Sequence, residues 1–217
     1  MAAALIVGAG DATGGAIAKA FAREGYTACV NRRARNANEL EALVKSIHAE
    51  GYAARAYPAD ARIEEEVVAM VDAIERDVGP IEVAVFTIGA NVNFSILDMT
   101  SQVYRKVWEM AAFAGFLMGR EAARRMVERQ SGTIIFTGAT ASLRGGSGFS
   151  AFSGAKGALR MLAQSMARTA RAVGVPFRAL FGIRLGKAQQ QRAGRRIGLV
   201  QPPKTETRCG AKSVRLI

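Results

Sequence analysis

Lys156 follows Phe152 by four residues in the stretch "FSAFSGAKG" (Phe149–Gly157). That spacing puts both side chains on one face of a helix. An ammonium held there could grip ligand hydroxyls or favour the ionised form of a neighbouring acid. Phenylalanine has no proton to exchange, so the pair alone binds rather than moves protons. A second group lies near the start of the chain. In "LIVGAGDATGGAIAKAF", Gly8, Gly10, Gly14 and Gly15 stand between an apolar run and a helical pattern. Glycines in that place permit a tight turn and a close approach of backbone to a pyrophosphate at a helix N-terminus. The alternative is a tight turn that serves helix packing alone. A third group is Asn31, Arg32 and Arg33, at the end of the second apolar run. An acidic residue there would accept from an adenosine ribose and favour NAD. Guanidinium forks suit a 2′-phosphate instead, which favours NADP over NAD. Asp11 argues the other way, because a carboxylate beside phosphates is unfavourable. The arginines could also simply cover a following helix at residues 38–50. Asp60 has two roles open to it, holding an adenine amino group or capping the next helix.

Composition removes several other chemistries. The only histidine is His48, in a polar helical context, and it reads as a surface residue. Hydrolases built on a histidine base are therefore disfavoured. Cys29 and Cys209 are far apart and lack CxxC spacing, so neither a disulfide framework nor a metal site is expected, and a reducing cytoplasm fits. No uninterrupted apolar stretch of about 18 residues occurs, so no membrane span is expected. The start "MAAALIVGAG" reads as a first strand rather than a signal peptide. The formal charge of +12 is uneven: residues 172–217 carry ten Lys and Arg against one acid, Glu206. Nucleic-acid binding through that tail is not favoured, because it lacks interleaved aromatics. A solvated or disordered tail fits better.

These groups need elements to position them. Short apolar runs alternate with amphipathic stretches over residues 1–171. Strands are expected at Ala3–Val7, Tyr26–Asn31, Ala53–Asp60, Ile81–Gly89 and Gly132–Gly138. Helices are expected at about Ala16–Glu24, Asn38–Glu50, Ile63–Val78, Ser101–Arg129 (flexed near Gly115 and Gly119) and Phe149–Arg171. Continuous rather than alternating apolar strands mean a parallel sheet covered on both faces. The fold class is α/β: a Rossmann-like, doubly wound parallel sheet in three α/β/α layers. Residues 1–171 form the nucleotide-binding domain. Residues 172–217 form an atypical basic segment with one strand candidate near Phe177–Ile183, then irregular or disordered chain.

The motifs "VGAGDATGGAIAKAFAREG", "PAD", "TIGANV", "GTIIFTGATAS" and "FSGAKGAL", in this order, resemble those of the short-chain dehydrogenase/reductase family. The resemblance covers roughly residues 3–171. It implies an NAD(P)(H)-dependent oxidoreductase that moves hydride between a nicotinamide cofactor, NADP preferred or NAD, and a carbonyl or alcohol substrate. The implied cofactor-binding positions are Gly8, Gly10, Asp11, Ala12, Thr13, Gly14, Asn31, Arg32, Arg33, Asp60, Ala61, Gly89 and Lys156. Of the family's four catalytic positions only Lys156 is kept. The tyrosine position holds Phe152, the serine position Ala139 and the asparagine position Ala112. The family's Asn-Ala-Gly after the fourth strand reads Thr87-Ile88-Gly89, and the middle glycine of the first loop is Ala12. Thr140 and Ser142 flank Ala139 and could orient a carbonyl oxygen, whereas Ser150 and Ser153 flank Phe152 and replace a phenol poorly. Turnover is therefore expected to be inefficient, and the alternative is a non-catalytic nucleotide-binding protein acting as a sensor or dimer partner. The resemblance also implies a homodimer or homotetramer built on the two long helices. A truncated or frame-shifted C-terminus would explain the charged, aperiodic tail.

Overall fold

Strands buried on both faces need helices on both sides, and the sequence supplies them alternately. The computed structural model describes residues 2–172 and 178–183, with side chains through Thr169. Six strands form one sheet: β1 (Ala3–Val7), β2 (Thr27–Arg32), β3 (Ala54–Pro58), β4 (Ile81–Phe86), β5 (Thr133–Gly138) and β6 (Arg178–Ile183). All pairings are parallel, in the order β3-β2-β1-β4-β5-β6. Six helices connect and cover them: α1 (Thr13–Arg23), α2 (Ala37–Ala49), α3 (Glu64–Asp77), α4 (Ser101–Trp108), α5 (Ala114–Glu128) and α6 (Ser150–Ala172).

The central strand β1 is buried throughout. Leu5 and Val7 face a core built with Val67, Val71 and Ile74 of α3, Leu117 and Met118 of α5 and Leu159 of α6. Ala4 and Ile6 face the opposite core with Ala18 and Ala22 of α1 and Leu40, Val44 and Ile47 of α2. This alternation makes the three layers. The chain runs outward through β2 and β3 on one side of β1 and through β4, β5 and β6 on the other. The direction therefore reverses between β1 and β4, and a crevice opens there at the C-terminal ends of the strands. Register fixes what lines it: Val7 pairs with Asn31 and with Phe86, so Gly8, Arg32 and Thr87 leave the sheet side by side.

Strands β3 and β4 end two and three residues earlier than expected, at Pro58 and Phe86, and two helical elements differ more. α1 starts at Thr13 rather than Ala16, because Gly14 and Gly15 belong to the helix; their bare Cα atoms let the first turn sit against the loop. The long helix expected over 101–129 is interrupted by a π-helical turn at Glu109–Phe113, not at the glycines. Gly115 and Gly119 instead mark close contacts, with α6 and β4 at Gly115 and with β5 and α6 at Gly119. A Cβ on Gly115 would lie 2.5 Å from Leu159 Cδ1, and one on Gly119 would lie 2.9 Å from Phe136 Cζ. Thr100 caps α4, its hydroxyl accepting from the Val103 N–H at 3.2 Å. The strand candidate at 177–183 is β6. The irregular basic segment expected at 184–217, with Cys209, lies outside the described residues. Among the described residues no helix is long and apolar enough to cross a membrane.

Candidate functional site

The glycine loop is tied down by its neighbours. Gly8, at φ +92°, turns the chain out of β1. The Gly8 and Ala9 N–H groups donate to Asn31 O at 3.1 and 3.0 Å, and Gly15 N–H donates to Gly10 O at 2.7 Å. Thr87 Oγ1 donates to Gly8 O at 2.7 Å, linking the loop to the end of β4. A Cβ on Gly14 would lie 2.5 Å from Gly8 O and 2.6 Å from Ala9 Cα. Both are backbone atoms that cannot yield, so glycine is required. Gly10 faces open space within 4 Å, which leaves room for a ligand to meet the backbone. Ala12 precedes α1 without offering a side-chain cap, and no acid occupies the first helical turn. The start of α1 thus presents N–H groups and a partial positive charge.

A cavity of about 220 Å³ continues outward from this loop, lined by Gly8, Gly10, Arg32, Arg33, Asp60 and Arg62 among others. Arg32 Nη1 is buried there without a hydrogen-bond partner. The nearest carboxylate oxygen, Asp11 Oδ1, is 3.5 Å away on an exposed side chain. Arg33 is lowered from the ordinary guanidinium range, first by burial and then by the charges of Arg35, Arg62 and Arg32, against Asp60, which raises it. The arginines therefore face the cavity rather than simply covering α2. Asn31, expected at the ribose, lines the same cavity and also ties strands together. Its buried side chain donates from Nδ2 to Tyr57 O at 2.8 Å and Ala59 O at 3.1 Å, fastening β2 to β3. Asp60 neither caps α3, whose N-cap is Ile63, nor stands free. Its carboxylate takes the Arg62 guanidinium side-on, Nη2 to Oδ2 at 2.6 Å and Nε to Oδ1 at 2.9 Å. That contact holds the Asp60 carboxyl below the usual range, and in turn raises Arg62.

At the other end of the crevice, Lys156 is 3% exposed and bridges two strands. Its Nζ donates to Ile88 O after β4 and to Thr137 O in β5, each at 3.0 Å. The ammonium also lies 5.9 Å from the Phe86 ring centre. Burial pushes it down to about 8. Phe152 lies one helical turn earlier on α6, half-buried. Ala139 opens the turn after β5, and the Ser142 hydroxyl donates back to Ala139 O at 2.7 Å, so it is already engaged. Ala112 packs in the π-helical turn with Ala111, Ala151 and Ala155. The hydroxyls of Ser150 and Ser153 are buried without partners. None of the four tyrosines replaces the missing phenol. Tyr26 and Tyr57 sit with the opposite half of the sheet, Tyr52 follows α2, and Tyr104 of α4 rests against Gly154. Gly154 is roughly opposite the face of α6 that carries Phe152 and Lys156.

Sequence reasoning missed three contributors. Thr87 counted only as a departure, yet it holds the glycine loop. Arg62 follows Asp60 by two residues, a spacing that signals a local ion pair. Met110, in the π-helical turn, is part of the cavity lining.

Ala61 and Gly89 also line the cavity. The arrangement offers backbone N–H groups, then guanidinium groups, along one crevice, with a buried ammonium at its far end. Among known proteins, a family model described as short chain dehydrogenase matches residues 2–181. A solved structure of a short-chain dehydrogenase from Rhodopseudomonas palustris is 47% identical. It superposes with a TM-score of 0.80 over 93% of this chain and 92% of that one. A 2-dehydro-3-deoxy-D-gluconate 5-dehydrogenase from Formosa agariphila is 30% identical over 76% of this chain and 62% of its own length. A 5-keto-D-gluconate 5-reductase from Escherichia coli is 30% identical over 75% and 63%. The chain thus spans under two thirds of the length of these two curated relatives.

Proposed function

The chain belongs to the short-chain dehydrogenase family, and we propose that it is an NADP-preferring oxidoreductase with slow proton delivery. It acts on a small carbonyl or alcohol. The observation that carries the cofactor preference is the buried Nη1 of Arg32 at the rim of the cavity, which makes no hydrogen bond and has only a 3.5 Å ion-pair contact, to the exposed Asp11 carboxylate. A buried cationic donor without a hydrogen bond is unfavourable, and a 2′-phosphate would satisfy it together with Arg33. The backbone of Gly8–Gly10 and the start of α1, from Ala12 through Gly14, would hold the pyrophosphate. Lys156 spends two of its three N–H groups on Ile88 O and Thr137 O and keeps one for a ribose hydroxyl. The residues present therefore fit the dinucleotide, which would supply or accept the hydride. The chain's own part is to bind and orient that group.

Proton delivery is the weak step. With phenylalanine at 152, the proton for the substrate oxygen has to come from water, and losing a general acid costs about 10²–10⁴ in rate. Titration with NADPH and NADH followed by a carbonyl panel tests the reading. Tighter NADPH binding with slow reduction supports it. Binding without turnover would make the chain a nucleotide sensor or dimer partner instead, and no binding would overturn both readings.

Further parts of the proposal rest on other features. The nucleotide-binding unit is residues 1–171, since every proposed ligand of the dinucleotide lies there. The buried free thiol of Cys29 suits a reducing cytoplasm. An apolar surface supports a homodimer or homotetramer: Trp108 stacks on Phe113, and Phe113 on Phe116, beside Leu159 and Leu162 of α6. Trp108 and Phe116 are exposed there.

A further inference from the structure

The end of β3 carries a feature that bears on which base the site accepts. The glycine loop leaves β1, and Arg32 and Arg33 leave β2, the next strand outward. A dinucleotide with its pyrophosphate on the first and its ribose phosphate on the second must place its base further out, over residues 59–62 at the end of β3. Several polar groups there are already engaged. The Ala59 N–H donates to Arg32 O at 2.9 Å. The Asp60 N–H donates to Glu66 Oε2 at 2.7 Å. The Arg62 N–H donates to Asp60 Oδ1 at 3.1 Å. The Asp60 carboxylate accepts three further contacts from the Arg62 side chain: Nε to Oδ1 at 2.9 Å, Nε to Oδ2 at 3.2 Å and Nη2 to Oδ2 at 2.6 Å. A carboxylate offers about four lone-pair sites, and three Arg62 donors, the backbone N–H, Nε and Nη2, already cover both oxygens.

Resting on the dinucleotide reading above, we infer that this site does not read the 6-amino group of adenine and accepts hypoxanthine equally well. Opening the Asp60–Arg62 fork for one neutral amino donor would exchange several charge-assisted contacts for a weaker one. The base is held instead by its flat face and by the phosphate beside it, with the Arg62 guanidinium at the cavity wall. Selectivity then resides in the 2′-phosphate and not in the base.

Calorimetric titration with NADPH and with its deamino (hypoxanthine) analogue measures this without relying on turnover. The expected dissociation constants agree within about threefold, whereas a site built to hydrogen-bond the amino group would reject the analogue far more strongly. The variant Arg62→Ala frees the carboxylate, and a preference for adenine of about fivefold or more should then emerge. Wild-type preference for adenine beyond that threshold overturns the inference, as does an Arg62→Ala variant that still binds both equally. Failure of both nucleotides to bind wild-type protein overturns the dinucleotide reading itself, and the inference with it.

Discussion

At the residue scale, Lys156 shows how much of a site a sequence discloses. Its place on one face with Phe152 was legible from spacing, but its partners were not. They come from residues 68 and 19 positions away, brought together only by the β4–β5 pairing. Asn31 and Asp60 teach the same lesson. Their types suggested ligand contacts, while neighbouring strands and Arg62 took their hydrogen bonds first. Burial lowers the Lys156 ammonium to about 8 from 10.5, which makes a signed prediction. Between those values the unfolded chain holds a proton that the folded chain has released, so stability rises with pH. Below about 8 the full penalty of the buried charge is present. Denaturant unfolding of wild type against Lys156→Met should therefore diverge above pH 8, wild type gaining up to about 1.4 kcal/mol per pH unit relative to the variant. At the other end of the crevice, Arg32→Ala should weaken NADPH binding by about tenfold or more, in line with loss of a charge-assisted contact, and leave NADH nearly unchanged. Equal losses for both would contradict a 2′-phosphate role.

Among the elements, strands and helices were largely legible because apolar runs and 3.6-residue periodicity report them directly. The start of α1, the π-helical turn and the meaning of Gly115 and Gly119 were not. Glycine looks like a breaker in a sequence, whereas here its missing Cβ is a packing feature that depends on Leu159, Phe86 and Phe136. Gly115→Ala should destabilise the fold by about 1–3 kcal/mol, since the contact falls on packed side chains. Thermal or chemical unfolding checks this, and a neutral result would mean that α5 can move away from the sheet. Gly14→Ala meets the Gly8–Ala9 backbone, so it should displace the glycine loop and abolish nucleotide binding, as a titration with NADPH would show.

For the whole molecule, doubly wound topology followed from alternating elements and continuous apolar strands. What could not be read was how a chain that keeps the frame of an oxidoreductase accommodates Phe152, Ala139 and Ala112. Two of these are absorbed by packing or backbone turns, in the Ala111–Ala155 cluster and at the turn after β5. The frame therefore survives the loss of the polar side chains. Assembly belongs to this scale too. Trp108→Glu should shift the protein to monomer in light scattering, because a charge in an apolar contact is strongly unfavourable; an unchanged mass would place any interface elsewhere. The central claim is that hydride transfer is intact in principle and proton delivery is the missing part. It is tested most directly by comparing NADPH-dependent carbonyl reduction in wild type and Phe152→Tyr. Restoring a phenol one turn from Lys156 should raise the rate by about 10- to 100-fold, part of what a general acid supplies. A Phe152→Tyr variant that binds NADPH yet is no faster than wild type would contradict the account.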